Sequence, residues 1–263
     1  MAIDKRAVIE DGAVLGENVE VGPFSYIGKN VKIANNVKIH SNAVITGNTE
    51  MDEGCEVFPF AVLGTDPQDF SYKKSDFTKL LIGKNNTFRE HILINTGTLK
   101  DKGQTVIGNN NLIMGQVHVA HDVVIADNVI LVNAAILAGH VQVKNNSIIG
   151  GGSAVHQFVT LGEFSMIAGA AAVSQDIPPY CVAEGNRAEL KGLNLVGLRR
   201  SNIDKTEIDE LRQVYRKLFR TNDPIKDSAT NILSTTKFQS VEKLCNFVLN
   251  TNRGIPYKRI INE

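Results

Sequence analysis

Tryptophan is absent from the 263-residue chain, and aromatic residues make up only 6% of it. A core with so few rings has to be built from aliphatic side chains in thin layers. An excess of one charge sign is also missing, since 28 Lys and Arg balance 28 Asp and Glu. That argues against broad nucleic-acid binding, which needs a basic field. Cysteine is scarce: Cys55, Cys181 and Cys245 stand far apart, odd in number and without motif spacing. This pattern argues against a disulfide framework or a cysteine zinc site. No long uncharged apolar run occurs, either in the opening "MAIDKRAVIEDGAVLG" or later. Neither a signal peptide nor a membrane span is expected, and the chain reads as a soluble, cytoplasmic protein.

What the chain has instead is a repeat. Stepping by six from Ile3 meets a large aliphatic residue or Met at every position through Met51 and Val57 to Leu63. The pattern resumes at Ile82, Phe88 and Ile94, and returns from Ile107 to Val173. The three runs hold 11, 3 and 12 anchors. Four residues after each anchor comes a slim residue, as at Ala13, Val19, Ser25, Cys55, Ala135 and Ser153. Gly and Asn fill many positions between, and both tolerate tight corners and positive φ. A period of six does not fit a helix of 3.6 residues per turn. It fits short strands wound three to a coil, with 18 residues per turn and successive coils stacked about 4.8 Å apart.

Two polar insertions, 64–81 and 95–106, interrupt the winding. Loops of this length usually carry function or disorder. The winding is expected to end at Pro178-Pro179. Beyond it, "TEIDELRQVYRKLFR" places Ile208, Leu211, Val214, Tyr215, Leu218 and Phe219 on one helical face. Further helical segments are expected after Asp223-Pro224 and in "SVEKLCNFVLN". The predicted organisation is an all-β parallel β-helix over 1–190 followed by a helical unit over 191–263.

The 18-residue period makes columns readable from residue numbers. His121, Gly139 and Gln157 share one column. Asp122, His140 and Phe158 form the next, and Ala120, Ala138 and His156 lie on the other side. His118 is one strand step away. These histidines all have an outward phase. Taken singly, each reads as a surface residue; four in one patch, of six in the chain, do not. A metal site is a second reading, because imidazoles bind zinc. General-base catalysis is the third, with a histidine as base and Asp122 orienting its ring. Gly139, lacking a Cβ, lets a substrate approach its backbone N–H, as an oxyanion donor must. With no nucleophilic Ser or Cys in the patch, this fits direct acyl transfer to a hydroxyl. Cys55 has an inward phase and belongs to the core.

The anchor, the small or acidic residue after it and the slim residue further on resemble the hexapeptide-repeat proteins. That resemblance alone implies a left-handed coil. The stretches "VHVAHDVVIADNVILVNAAILAGHVQV", "IIGGGSAVHQF" and "SQDIPPYCVAEGN" go further. With the loop "PQDFSY" and the tail after "GLNLVGLRR", they resemble the acyl-ACP–UDP-N-acetylglucosamine O-acyltransferases of lipid A biosynthesis over the whole chain. The resemblance implies transfer of a (3R)-hydroxyacyl chain from acyl carrier protein to the 3-position of the UDP-sugar, without a cofactor or metal. It implies His121 as base on the sugar 3-hydroxyl, Asp122 as its orienting group and Gly139 as oxyanion donor. His118, His140, His156 and Gln157 would shape the pocket. Gln68, Asp69, Asn194 and Arg200 match nucleotide-sugar and acyl contacts, and Gly169 a position that measures acyl length. Ser71 departs from the family, which often has Lys two residues after the Gln-Asp pair; Lys73 and Lys74 follow it. Ser201 stands where a further basic residue is common.

The family is trimeric, with its site between subunits. Gly169 lies 48 residues from His121, not a multiple of 18, and so belongs to another face. A groove using both faces is natural if one comes from a neighbouring subunit. Residues 187–220 hold nine Lys or Arg against five Asp or Glu, a surface suited to an acidic carrier protein. The open alternatives are a 3-amino acceptor sugar, the sister N-acyltransferase, a CoA-dependent acetyltransferase, and a β-helix that only binds.

Overall fold

Each of the 26 anchors lies in a strand of its own, from Ala2–Ile3 to Ala172–Val173. The structure, a computed structural model, describes residues 2–201 and 203–258. Met1, Asn202 and 259–263, which the expected units include, lie outside the described residues. The strands stack into three faces of a prism, giving a left-handed parallel β-helix. The first face begins Ala2–Ile3 and Glu20–Val21, the second Val8–Ile9 and Tyr26–Ile27, the third Val14–Leu15 and Lys32–Ile33. Register follows the 18-residue period, as where Ile27 faces Ile45. Across the insertions it stretches: Val57 faces Phe88 and Phe88 faces Ile113, offsets of 31 and 25 residues.

The core is the prism axis. Anchors from Val21 to Val173 are buried, and the slim layer behind them, including Cys55, fills the remaining space. The first coil is different: Ile3 is 43% exposed, and Ile9 and Leu15 are only half-buried. Their phase is inward, but no described coil lies beneath them.

Three residues after an anchor the backbone turns left-handed at most corners. Asn18, Asn36 and Asn128 have φ of 56°, 58° and 57°. This conformation is costly for most L-residues and mildest for Gly, Asn and Asp, which explains the asparagines of the repeat. At the corner between the third and first faces, side chains from the next coil accept the free N–H groups. Asn109 donates to Asp127 Oδ1 at 2.6 Å, and Asp127 to Asn145 Oδ1 at 3.0 Å.

The winding continues past Pro178-Pro179. Cys181–Glu184 pairs in parallel with Met166–Ile167, and Glu189–Leu193 then returns antiparallel. The prolines sit at a corner, not in a strand, so their missing N–H groups interrupt no ladder. Four helices follow: α1 (Leu195–Arg200), α2 (Lys205–Phe219), α3 (Ile225–Leu233) and α4 (Gln239–Asn250). The buried residues of α2 are the six expected from its spacing. Lys243 of α4 reaches Glu163 on the coil at 2.8 Å, and Thr251 donates to the buried Asp176 at 2.7 Å. Among the described residues, no helix is long and apolar enough to cross a membrane.

Candidate active site

Both insertions leave the prism at one corner. Each follows a second-face strand, Val62–Thr65 or Leu93–Asn95, and precedes a third-face strand, Lys79–Ile82 or Gln104–Ile107. The strands run further into the insertions than the repeat suggests, so the excursions themselves are 66–78 and 96–103. One coil on, the same corner holds His121 and Asp122, between His118–Val119 and Val124–Ile125. Both loops fold back across that corner.

Asp122 takes the left-handed corner position, with φ 60°. Its N–H donates to Thr105 Oγ1 at 2.9 Å. Its carboxylate is buried although its phase is outward, because the second loop covers it. Thr98 donates its N–H to Oδ1 at 2.9 Å and its hydroxyl to Oδ2 at 2.6 Å. His121 Nδ1 lies 2.9 Å from the same Oδ2. A carboxylate only accepts, so Nδ1 carries the proton and Nε2 of the neutral ring keeps a lone pair. Burial raises the Asp122 pKa, but the hydrogen bonds from His121 and Thr98 outweigh it and hold the carboxyl below its ordinary range.

The other histidines are arranged around this pair. The His140 ring stands edge-on to His121 at 5.2 Å and stacks on Phe158 at 4.4 Å. Its Nδ1 is 3.2 Å from Asp101 Oδ2 of the second loop. His121 and His140 are only 14% and 11% exposed at their side chains, again because the loops cover outward positions. His118 points outward from the second face between Leu93 and Ile136. Burial lowers its pKa, favouring the neutral ring, and its Nδ1 has no partner among the described residues. His156 and Gln157 are exposed two coils above His121. Gly139 lies between, and its N–H meets no acceptor among the described residues. His121, Asp122 and His140 each offer a donor atom within 4.8 Å of the others, the set a metal would use. The Asp122 oxygens already accept three hydrogen bonds, the geometry of an orienting carboxylate.

Asp69 stands over the site, its Oδ2 3.9 Å from His121 Nε2. Ser71 donates both N–H and hydroxyl to Asp69 Oδ1 at 2.7 Å, and Lys100 Nζ lies 3.0 Å from Oδ2. Hydrogen bonds from Ser71, then the Lys100 charge, hold this carboxyl well below its usual range. The cation beside Asp69 is therefore Lys100, from the other loop, and neither Lys73 nor Lys74. Gln68 is exposed on the first loop.

Gly169, Asn194 and Arg200 are not in this cluster. Gly169 turns the corner from the first face to the second, between Met166–Ile167 and Ala172–Val173. Asn194 belongs to the third corner: its Nδ2 donates to Phe164 O at 3.0 Å while its Oδ1 caps α1 through the Gly197 N–H. Arg200 is exposed at the end of α1. Repeat arithmetic also missed Thr98, Lys100, Asp101 and Thr105. The signal for them was present, because Leu63 and Ile94 share the phase of Val119 and send both loops out at the His121 corner.

The chain has close relatives. Residues 176–256 match the model described as UDP N-acetylglucosamine O-acyltransferase, domain 2. An acyl-[acyl-carrier-protein]–UDP-N-acetylglucosamine O-acyltransferase from Sulfurovum sp. is 50% identical over 258 residues, 98% of each chain. One from Campylobacter jejuni is 53% identical over 257 residues, 98% of this chain and 97% of the relative. The solved UDP-N-acetylglucosamine acyltransferase from Campylobacter jejuni superposes with a TM-score of 0.93 at 47% identity, covering 98% of this chain and all of that one. Identity at this level over nearly the full length of both chains leaves one conclusion: the chain belongs to the acyl-[acyl-carrier-protein]–UDP-N-acetylglucosamine O-acyltransferase family.

Proposed function

We propose that the chain transfers a (3R)-hydroxyacyl group from acyl carrier protein to the 3-position of UDP-N-acetylglucosamine, the first step of lipid A biosynthesis, by direct attack. The observation that carries this is the His121–Asp122 pair lying beside the free N–H of Gly139. His121 Nε2 takes the proton of the sugar 3-hydroxyl as that oxygen attacks the thioester carbonyl. The Gly139 N–H donates to the oxyanion of the tetrahedral intermediate. Collapse breaks the carbon–sulfur bond, and the imidazolium returns its proton to the departing thiolate. Asp122 stabilises the imidazolium between the two transfers. No acyl-enzyme is needed, and the thiols are unsuited to one. Cys55, Cys181 and Cys245 are buried, and burial pushes Cys245 up to about 11 and Cys181 higher still.

His118, His140, His156 and Gln157 line the pocket around the acceptor, and Gln68 and Asp69 hold the sugar nucleotide from the first loop. Lys100 supplies a positive charge near the diphosphate, the role left open by Ser71. Gly169, Asn194 and Arg200 serve the acyl chain and nucleotide from a neighbouring copy. That arrangement needs more than one copy of the chain, and a homotrimer is the assembly the family resemblance implies. The reason is geometric: the His121, Gly169 and Asn194 groups occupy three different corners of one prism, so only packing of several prisms brings them into one cleft. The outward residues of the second face support the packing, since Val44, Val62, Leu93, Ile136 and Ala154 give it an apolar surface around His118 and Tyr26. A cavity of about 290 Å³, with Leu193, Leu195 and Tyr215 in its wall and Lys191, Arg212, Arg216 and Arg220 around them, offers the acidic carrier a basic docking surface. With a carrier-borne donor and a nucleotide sugar, the reaction belongs in the cytoplasm.

The test is a transfer assay pairing UDP-N-acetylglucosamine and its 3-amino analogue with a series of 3-hydroxyacyl carrier proteins. Light scattering on the same sample reads the oligomer. Transfer to the hydroxyl sugar by a trimer is expected. Transfer to the amino sugar alone would change the acceptor assignment, and a monomer with full activity would remove the shared cleft.

A further inference from the structure

The second loop is built around one residue. Gly97 crosses so close to the returning chain that a Cβ there would lie 2.1 Å from Gln104 N. The turn closes on Thr98, whose carbonyl accepts the N–H groups of Asp101 and Gly103. Thr98 is buried, and both of its donors point at Asp122, one to each carboxylate oxygen. Its hydroxyl shares Oδ2 with His121 Nδ1. A carboxylate held at both oxygens and at its backbone N–H cannot rotate. We infer that Thr98 is a positioning residue for the transfer reaction, acting through Asp122 on the direction and basicity of His121. This rests on the reading of His121 as base. Thr98 is buried and both of its donors are taken up by Asp122, so its effect should fall on kcat and leave KM alone.

The hydroxyl also moderates charge. It draws part of the Asp122 negative charge to itself, which limits how strongly the carboxylate stabilises the imidazolium. Other charges and titrating groups face His121. Asp69 stands 3.9 Å from Nε2 and carries Lys100, while His140 stands edge-on and carries Asp101. His118 lies one strand step away. None of these donates to Asp122 at hydrogen-bond distance, so removing the Thr98 hydroxyl leaves them in place. Without it, His121 should hold its proton more tightly, and the acid limb of the kcat profile should move to higher pH.

The experiment measures kcat, both KM values, the pH profile and melting for Thr98→Val, Thr98→Ser and Thr98→Ala, with His121→Ala alongside. Expected is a roughly ten- to hundredfold fall in kcat for valine, the size of a lost hydrogen bond to a charged group. KM should hold, the acid limb should rise, and serine should restore both. If valine does not fold, alanine carries the same expectation. Wild-type kcat and an unmoved acid limb in the hydroxyl-free variants would overturn the inference. So would a serine variant as impaired as valine, because that would locate the role in packing of the methyl group. Should His121→Ala itself keep the wild-type rate, the base reading fails first, whatever Thr98 does.

Discussion

The His121 ring lies across the backbone of Gly139 on the next coil, so close that a Cβ at 139 would stand 2.6 Å from its Cε1 and 2.8 Å from its Nε2. The proposed base and the proposed oxyanion donor are thus in contact with each other, and that contact leaves no room for a side chain at 139 unless the ring moves. Gly139→Ala should push the ring off its position over Asp122. A loss of roughly 10²–10³ in kcat is expected, the scale of a disabled oxyanion site, with little change in melting temperature. A kcat near wild type would show that the ring has room to yield.

His121→Ala removes the proposed base. A loss of roughly 10²–10⁴ in rate is expected, with the fold and oligomer kept because the side chain is not in the prism core. Circular dichroism and light scattering check the second half, and steady-state transfer checks the first. Activity near wild type in the folded variant would assign the base elsewhere.

Stability should depend on His118 and pH in a defined direction. Burial holds its pKa below the ordinary imidazole value of about 6.5. Between that value and the lower folded one, the unfolded chain binds more protons. The contribution to stability is therefore full above about 6.5 and is lost as pH falls towards the folded pKa. His118→Leu removes this dependence. From roughly pH 7.5 to 5.5 the variant's melting temperature should fall less than that of the unaltered chain. Parallel curves would mean that His118 does not titrate in this range.

Ile125 is an anchor of the third face, 1% exposed and paired in register with Ile107 and Val143. Ile125→Asp places an unpaired charge on the prism axis and should cost about 3 kcal/mol or more. Denaturant titration measures this. A cost under about 1 kcal/mol would be that of a surface position.

A Cβ at Gly169 would meet only Gly151 O, at 3.3 Å, so a side chain there fits with a small adjustment. If this corner lines the acyl groove, Gly169→Met fills its distal end. Each buried CH₂ contributes about 0.8 kcal/mol, so the preferred donor should become several carbons shorter while melting holds. An unchanged length optimum across a donor series would leave Gly169 as a corner glycine and place the groove elsewhere.

The coil was legible in the residues because its cause is local and periodic. An inward aliphatic side chain every six positions and a left-handed corner residue three later repeat whatever the rest of the chain does. All 26 anchors accordingly found strands, and the columns that join His121 to Gly139, and His140 to Phe158, follow from the same arithmetic. The face of α2 was legible for the same reason, from its 3.6-residue period. The loops were not, because excursions without a period are placed by contacts with distant residues. Only the tertiary structure closed Thr98 onto Asp122, Asp101 onto His140 and Lys100 onto Asp69, and so buried side chains whose phase is outward. It likewise carried the winding past Pro178-Pro179, since a corner tolerates the missing N–H groups that a strand would not. Periodicity determines which way a side chain points; what then covers it depends on where the aperiodic segments come back to.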